Sequence, residues 1–583
     1  MEILLSTLNA KFIHSSLALA YLKEFCADER WILNIKEFSI NEKSDDILAS
    51  IFLSRPDILC FSCYIWNIKP ILEICRDYKK IAPRTVIILG GPEVSYDAAT
   101  ILESHEFLDY IVRGEGEVTL KELLHTIYMK QALDQVRGIS YRQGINCFDN
   151  PDRDLISDLD CIPSPYKGLL DAYRNRIVYY ETSRGCPYNC TYCLSSTIKG
   201  VRFFSLERVK DDLRCLIKQG IKEIKFVDRT FNCHEGRARE IMEFVLDQGG
   251  KTKFHFEIGA ERLSSDFMAF LKQVPPGRFD FEIGVQSTNP ESLKAVNRNS
   301  KWKVLSQNIK TLQAGENIHI HIDLIAGLPY EDLESFASSF NNVYGLNPEV
   351  IQLGFLKLLK GSDIRKHCAE HNYLFQTDPP YQVLGNRYLG YADLLILKNI
   401  EDLLDRYYNS DNVPKSLHFI VNRIFSGNAF AFWQNFAEFW LKRELFSCAH
   451  KREAEYSILL NYIQTDYPAQ SKILNELLKY DFLCHHQSHN IPEGIISHNP
   501  DDVNERLYIL LKNQAFLEKY LYEISSKTPR ENRRKVHLEY IDYDPFAGSP
   551  SIEPLPLLFV YDPVVKKASK LIKVPESYLN IRA

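Results

Sequence analysis

Over residues 1–145, short continuous apolar runs alternate with stretches of helical periodicity. The runs MEILLSTL, DILCFSCYI, TVIILGG and DYIVRG are rich in leucine and β-branched residues, as strands buried on both faces are. Between them, SLALAYLKEFC, IKPILEICRDYKKIA and AATILESHE space their apolar positions for helices. Strand–helix repetition of this kind predicts an α/β fold with a parallel sheet covered on both sides, a doubly wound, Rossmann-like domain. Residues 146–175, whose prolines and aspartates discourage regular structure, read as a linker. The alternation resumes over 176–364 with RIVYYETS, IKEIKFVD, KFHFEIGA, RFDFEIGVQS, HIHIDLIAG and VIQLGFLKLL, each separated from the next by a helix-sized segment. That succession predicts a partial (β/α)6 barrel of the TIM type, with functional groups at the carboxyl ends of its strands. From 365 to 583 the spacing turns mainly helical, with extended pieces in the tail at HLEYIDY and LPLLFVYD.

Composition narrows this picture only a little. A chain of 583 residues with 45% apolar and 25% charged positions has ample material for several cores. A formal net charge of -6 argues against broad binding to nucleic acid or acidic membranes, and the basic group Arg530, Arg533, Arg534 and Lys535 reads as a solvated face. No apolar run reaches bilayer length and the first residues lack a signal-peptide layout, so a cytoplasmic location with reduced thiols is expected. Most of the 14 cysteines (Cys26, Cys60, Cys63, Cys75, Cys147, Cys161, Cys215, Cys233, Cys368 and Cys448) then read as small buried hydrophobes.

One group asks for more. YYETSRGCPYNCTYC places Cys186, Cys190 and Cys193 in a Cys-x3-Cys-x2-Cys spacing where the first barrel strand should end. Thiolates on so tight a loop can converge on the corners of an iron–sulfur cube. Three ligands leave one iron open, as catalysis at a metal requires. A structural zinc site or plain buried thiols are the alternatives; zinc needs a fourth ligand, and the adjoining LSSTIKG offers neither cysteine nor histidine. The distant group Cys484, His485, His486 and His489 reads as a polar loop.

The trio, with Tyr192 as the aromatic before its last cysteine, resembles the radical S-adenosylmethionine (SAM) superfamily. That resemblance implies a [4Fe–4S] cluster on Cys186, Cys190 and Cys193, SAM chelated to the open iron, and a 5′-deoxyadenosyl radical produced on reduction. It further implies contacts to SAM from Asp228 and Asn232 at the second strand end, Glu257 and Arg262 in the third unit, Glu282 and Gln286 on the fourth strand, and the run Asp323 to Pro329 on the fifth. Gly361-Ser362 resembles the turn that closes the sixth strand.

Before the trio stand Leu89-Gly90-Gly91-Pro92-Glu93-Val94-Ser95 and Arg113-Gly114-Glu115-Gly116-Glu117, each following a strand. Together with the trio they resemble the cobalamin (B12)-binding class of radical SAM enzymes, in a subgroup with an uncharacterised C-terminal helical extension. The resemblance implies a corrinoid over the first sheet, flanked by Ser62 to Asn67, Gly90 to Ser95 and Gly114 to Glu117. The Asp-x-His-x-x-Gly ligand motif of other cobalamin proteins is absent, Phe12 standing where the aspartate would precede His14, so no histidine ligand to cobalt is expected; Tyr64 or Trp66 would cover the lower face instead. The implied activity is methyl transfer to a substrate carbon radical. Radical cyclisation or rearrangement, methylthio transfer to RNA, and a non-catalytic cofactor carrier are the alternatives. The implied partners are a small-molecule or peptide substrate and an electron donor such as flavodoxin or ferredoxin, with neither membrane nor nucleic acid, under anaerobic conditions.

Overall fold

A computed structural model describes residues 1–166, 173, 175–487, 491–524, 528–562 and 567–579. Part of the expected linker (167–172 and 174) and His489 lie outside the described residues. The chain divides into two compact units. Met1–Ser339, Leu346–Pro348 and Gln352–Leu394 form the first, so it runs past 364 to take in a short hairpin, Leu374–Phe375 with Val383–Gly385.

The first sheet comprises β1 (Glu2–Asn9), β2 (Ile32–Ser39), β3 (Ile58–Ser62), β4 (Val86–Gly90), β5 (Tyr110–Val112), β6 (Ile139–Gln143) and β7 (Asn146–Asp149), in the order β2-β1-β3-β4-β5-β6-β7. β1 to β5 are parallel and β6 and β7 antiparallel. Alternate residues of the central strands feed two cores. Leu4, Leu59, Phe61, Ile87 and Leu89 pack with Ile51, Ile71 and Leu102 on one face. Ile3, Leu5, Ile58, Cys60 and Ile88 pack with Leu19, Leu120 and Leu123 on the other. Two buried faces are the physical reason that these strands read as unbroken apolar runs. β2 did not read so: as an edge strand it is only partly buried and keeps polar positions.

The second sheet comprises β8 (Val178–Tyr180), then, beyond a hairpin of β9 (Ser183–Cys186) and β10 (Gly200–Phe203), β11 (Glu223–Phe226), β12 (Lys253–Glu257), β13 (Phe279–Gln286), β14 (Ile318–Ala326) and β15 (Val350–Phe355). The order β15-β14-β13-β12-β11-β8, with parallel pairing, is that of an open barrel. Its two faces differ sharply. Tyr180, Phe226, Phe254, Phe256, Phe279 and Phe281 lie on the face toward the helices, where the Tyr180 hydroxyl donates to Asp212 of helix Leu206–Lys218 at 3.1 Å. The register places Tyr179, Lys225, His255, Glu257, Asp280, Glu282, His321 and Asp323 on the other face, the lumen.

The second unit holds helices Ala429–Lys442, Arg452–Asp466 and Ser471–His485 and an antiparallel sheet of Val536–Asp544, Ser549–Tyr561 and Ala568–Lys573. The aromatic stripe Phe430, Phe432, Trp433, Phe436, Phe439 and Trp440 is helix core. A buried ionic knot joins helix to sheet: the Lys479 ammonium lies 3.0 Å from Glu476 and 3.5 Å from Glu539 and donates to the Tyr540 carbonyl. Lys479→Met leaves two buried carboxylates without their cation and is expected to destabilise this unit by about 3–5 kcal/mol. Urea unfolding followed by tryptophan fluorescence measures it, and a change under about 1 kcal/mol rejects the knot as a stabilising contact.

Three cysteines expected to be buried are exposed instead: Cys161 at the end of a one-turn 3-10 helix, Cys215 on the outer face of a helix and Cys448 beyond a helix end. Each sits on a surface element whose apolar positions are filled by other residues. Among the described residues, no helix is long and apolar enough to cross a membrane.

Candidate functional site

The strand order reverses between β1 and β3, so the first sheet opens a crevice beyond their carboxyl ends, where doubly wound folds bind ligands. Phe12, Ile13 and Trp66 in the loops after these strands are 74%, 46% and 46% exposed. Tyr64 and Trp66 stack at 4.4 Å with planes 3° apart. Asn67 fixes that loop: its amide donates to Thr7, Leu8 and Ser62, and its oxygen accepts from the Tyr64 N–H at 2.7 Å. On the far side of the crevice Gly91 adopts φ +104, and a Cβ there would stand 2.6 Å from the Cys63 carbonyl, so only glycine allows the two loops to approach. A rigid crevice edged with exposed aromatic rings suits a large, flat, partly apolar ligand such as a corrin.

Other residues of the same loops turn elsewhere. Ser62 is buried and accepts hydrogen bonds at its carbonyl from Thr7 and Asn67. Val94 lies in the domain core. The Glu93 carboxylate accepts a short hydrogen bond from the Tyr381 hydroxyl and lies 3.6 Å from Lys360. Glu115 pairs with Arg184 and Arg202. Gly90 ends β4 against Val112, and Gly114, at φ +71, faces open space. His14 faces the Tyr179 hydroxyl at 2.5 Å rather than the crevice.

The cysteine loop hangs from the β9–β10 hairpin, whose register pairs Cys186 with Gly200 and Arg184 with Arg202. Buried Asp228 anchors its start, accepting from the Thr182 N–H at 2.9 Å and from the Thr182 and Ser183 hydroxyls at 2.7 and 2.5 Å. Asn232 locks the neighbouring strand ends by paired bonds to Gly259. Further along, Thr191 donates to the Val296 carbonyl and accepts from the Ile364 N–H, and Tyr188 donates to Glu261 at 2.6 Å beneath the Arg262 guanidinium. Asp228 and Asn232, expected at the second strand end, are there, with their polar groups occupied by protein partners.

Arg298 is the residue that spacing along the chain could not reveal, 108 positions from Cys190. Its guanidinium donates to the Gly284 carbonyl and lies 3.4 Å from the Tyr192 hydroxyl and 3.9 Å from the Cys190 sulfur. Among the described residues it forms no salt bridge, and its Nε is buried without a partner. A buried cation so placed calls for an anion, and an anionic iron–sulfur cluster on the cysteines would supply one. Among the described residues no three His, Cys, Asp or Glu side chains converge on the point a single metal ion would occupy.

At the barrel mouth β13 bulges between Gly284 and Gln286; Gln286 takes φ +69 and leaves its side-chain oxygen buried without a partner. The left-handed backbone and the orphaned acceptor leave Gln286 with an unused hydrogen-bonding group at a strand end. Below it, burial alone would raise the Glu282 carboxyl, but bonds from His255 at 2.8 Å and Lys225 at 2.9 Å hold it down to about 2. Glu282, expected to contact SAM, is thus the hub of a lumen ion network. Glu257, one strand over, is pushed up to about 7 by burial.

A doubly wound domain with an aromatic crevice, joined to an open parallel barrel with a cysteine trio at its mouth, is the architecture of a corrinoid-binding radical SAM protein. Comparison with known proteins agrees: residues 4–124 match the family described as B12 binding domain, 180–342 the Radical SAM superfamily, and 369–552 a protein family of unknown function, DUF4080. The chain carries a B12-binding and a radical SAM domain and is homologous to cobalamin-dependent radical SAM methyltransferases. It is 28% identical over 366 residues to the cobalamin-dependent radical SAM methyltransferase TokK of Streptomyces tokunonensis, covering 58% of this chain and 52% of TokK. It is 28% identical over 309 residues to the hopanoid C-3 methylase of Methylococcus capsulatus, covering 51% of this chain and 58% of that one. The matched stretches thus span little more than half of those relatives. The fold matches the cobalamin-dependent SAM radical enzyme OxsB, solved with aqua-cobalamin and SAM bound, at TM-score 0.57 and 17% identity over 82% of this chain and 78% of that one.

Proposed function

We propose that the protein is a cobalamin-dependent radical SAM methyltransferase acting on a small polar molecule or peptide. The observation that carries this reading is the placement of the cysteine hairpin: one compact unit holds the crevice of the first sheet, the trio and the barrel mouth together. In this reading Cys186, Cys190 and Cys193 hold the cluster, with Arg298 and Tyr192 beside it. Gln286 and Glu257 face SAM, while Asp228 and Asn232 keep the strand ends in place. Tyr64 and Trp66 form the floor beneath the corrin, and Gly90, Gly91 and Gly114 let backbone approach it. The functional division follows as 1–145 for the corrinoid, 146–175 as linker, 176–364 for radical generation and 365–583 as the extension. Bound there, the cluster would supply the electron that cleaves SAM, and cobalamin the methyl group.

The chain's own residues shape the rest. TIM-type barrels usually fill the lumen with branched apolar side chains. Here Lys225, His255, Glu257, Glu282, His321 and Asp323 line it, which suits a polar substrate better than a polycyclic hydrocarbon. The 14 cysteines and an oxygen-sensitive cluster suit a reducing cytoplasm and an electron donor of the flavodoxin or ferredoxin kind.

Anaerobic purification and reconstitution test the reading. About four irons and four sulfides per chain, bound cobalt, and 5′-deoxyadenosine on reduction with dithionite are expected. Cluster without cobalt rejects the corrinoid assignment, and an intact cluster that yields no 5′-deoxyadenosine rejects the radical one. Label from methyl-labelled SAM that reaches neither cobalt nor product rejects methyl transfer.

A further inference from the structure

The hairpin that carries Cys186 is tied to the first sheet by charge. Arg184, two residues before Cys186, meets three carboxylates: Glu117 at 2.5 Å, Glu181 at 2.9 Å and Glu115 at 3.3 Å. Arg202, its register partner on the opposite strand, grips both oxygens of Glu115 at 2.7 and 3.0 Å. Glu115 also accepts the Ile156 N–H at 2.8 Å. Side-chain exposure is 13% for Arg184 and Glu115, 7% for Glu117 and 17% for Arg202, so the network is largely removed from water. Glu115 and Glu117 flank the start of helix Gly116–Met129, directly after the Gly114 turn at the end of β5.

A carboxylate shared by both strands of a hairpin fixes its orientation as well as its position, because a guanidinium fork bonds a carboxylate only in its own plane. The loop that borders the crevice and the strand that ends in a cluster cysteine are thereby joined through one set of directional, desolvated bonds. Two neutral contacts support the joint: the Tyr96 hydroxyl against Thr197 at 3.1 Å, and Gly361, where a Cβ would stand 2.3 Å from the Tyr96 ring.

We propose that Arg184, Arg202, Glu115 and Glu117 are positioning residues that set the separation of cobalt and cluster. The inference rests on the two-cofactor reading above. It assigns Glu115 to the joint between the two cofactor loops instead of to the corrin. Contacts that merely cemented the domains would affect stability alone; these should also determine how narrowly the cofactor distance is distributed.

The test uses holoprotein reconstituted with cluster and cob(II)alamin, comparing wild type with Arg184→Lys, Glu117→Gln and the milder Arg202→Lys. Iron, cobalt and circular dichroism are checked first, and the dipolar interaction between the reduced cluster and cob(II)alamin is then read by electron paramagnetic resonance. The variants are expected to keep both cofactors while the width of the distance distribution grows about twofold, as when a site's supporting shell is loosened by roughly 1 Å. Should Arg184→Lys fail to fold, Glu117→Gln and Arg202→Lys carry the same comparison. Cofactor-replete variants with the wild-type distribution overturn the inference. Wild-type protein that binds no cobalt or no cluster overturns the two-cofactor reading instead.

Discussion

Cys190→Ala is expected to give a folded protein that binds no cluster and forms no 5′-deoxyadenosine. The loop does not depend on this side chain for its shape, because Thr191 is held at both backbone groups, by Val296 and Ile364, and the Cys193 N–H bonds the residue 190 carbonyl, which alanine keeps. Removing one buried sulfur from a side chain only 5% exposed costs about 1–2 kcal/mol. The chemical loss is of another order, since two thiolates cannot hold a cube whose fourth iron must stay open. Arg298 also loses the sulfur 3.9 Å away, so its buried charge has still less to face. Iron and sulfide analysis, together with 5′-deoxyadenosine formation under dithionite, measures the effect, and Cys215→Ala, on an exposed helix face, should match wild type. Wild-type iron content in Cys190→Ala would remove Cys190 from the ligand set.

The cysteine trio was legible because its three residues lie within one loop, and local spacing is what a sequence displays. The buried strands were legible for a related reason. β1, β3 and β4 have apolar neighbours on both faces, whereas β12, β13 and β14 alternate as KFHFE, FDFEIGVQ and IHIHIDLIA because one face meets helices and the other a polar lumen. Those same strings contain the lumen charges, but nothing in them says that Glu282 meets Lys225 and His255 rather than a ligand; those partners lie 57 and 27 positions away. The edge strands β2 and β7 lack the continuous apolar signature because one side of each is unpaired and exposed, and β6 lacks it because its five residues, ISYRQ, mix polar with apolar. The β9–β10 hairpin has no such signature because Ser183–Cys186 and Gly200–Phe203 are four residues each, SRGC and GVRF, without a continuous apolar run. The cysteine trio is thus visible in the sequence while its setting is not: Arg184, Arg202 and Arg298 become significant only when distant loops meet.

Gly185→Ala tests that setting, leaving all three cysteines in place. Gly185 adopts φ +101, and an added Cβ would stand 2.1 Å from the Gly200 carbonyl oxygen. That oxygen belongs to the backbone of the opposite strand, at the residue paired with Cys186, so no side chain can rotate to make room. The substitution must either force the hairpin apart or push residue 185 into another conformation, and either displaces Cys186 and Arg184, its two chain neighbours. A cost of about 3–5 kcal/mol is expected, combining backbone strain with a clash against main chain. Gly200→Ala is the matched control: its φ of +79 is also left-handed, but nothing lies within 4 Å of the added carbon, so only conformational strain of about 1 kcal/mol should appear. Gly185→Ala should therefore lose most of its iron on reconstitution yet keep bound cobalt, because the crevice of the first sheet is built from β1, β3, β4 and the loops that follow them and does not include the hairpin. Gly200→Ala should retain both. Equal iron content in the two variants would show that the strand pairing beneath Cys186 does not govern cluster assembly.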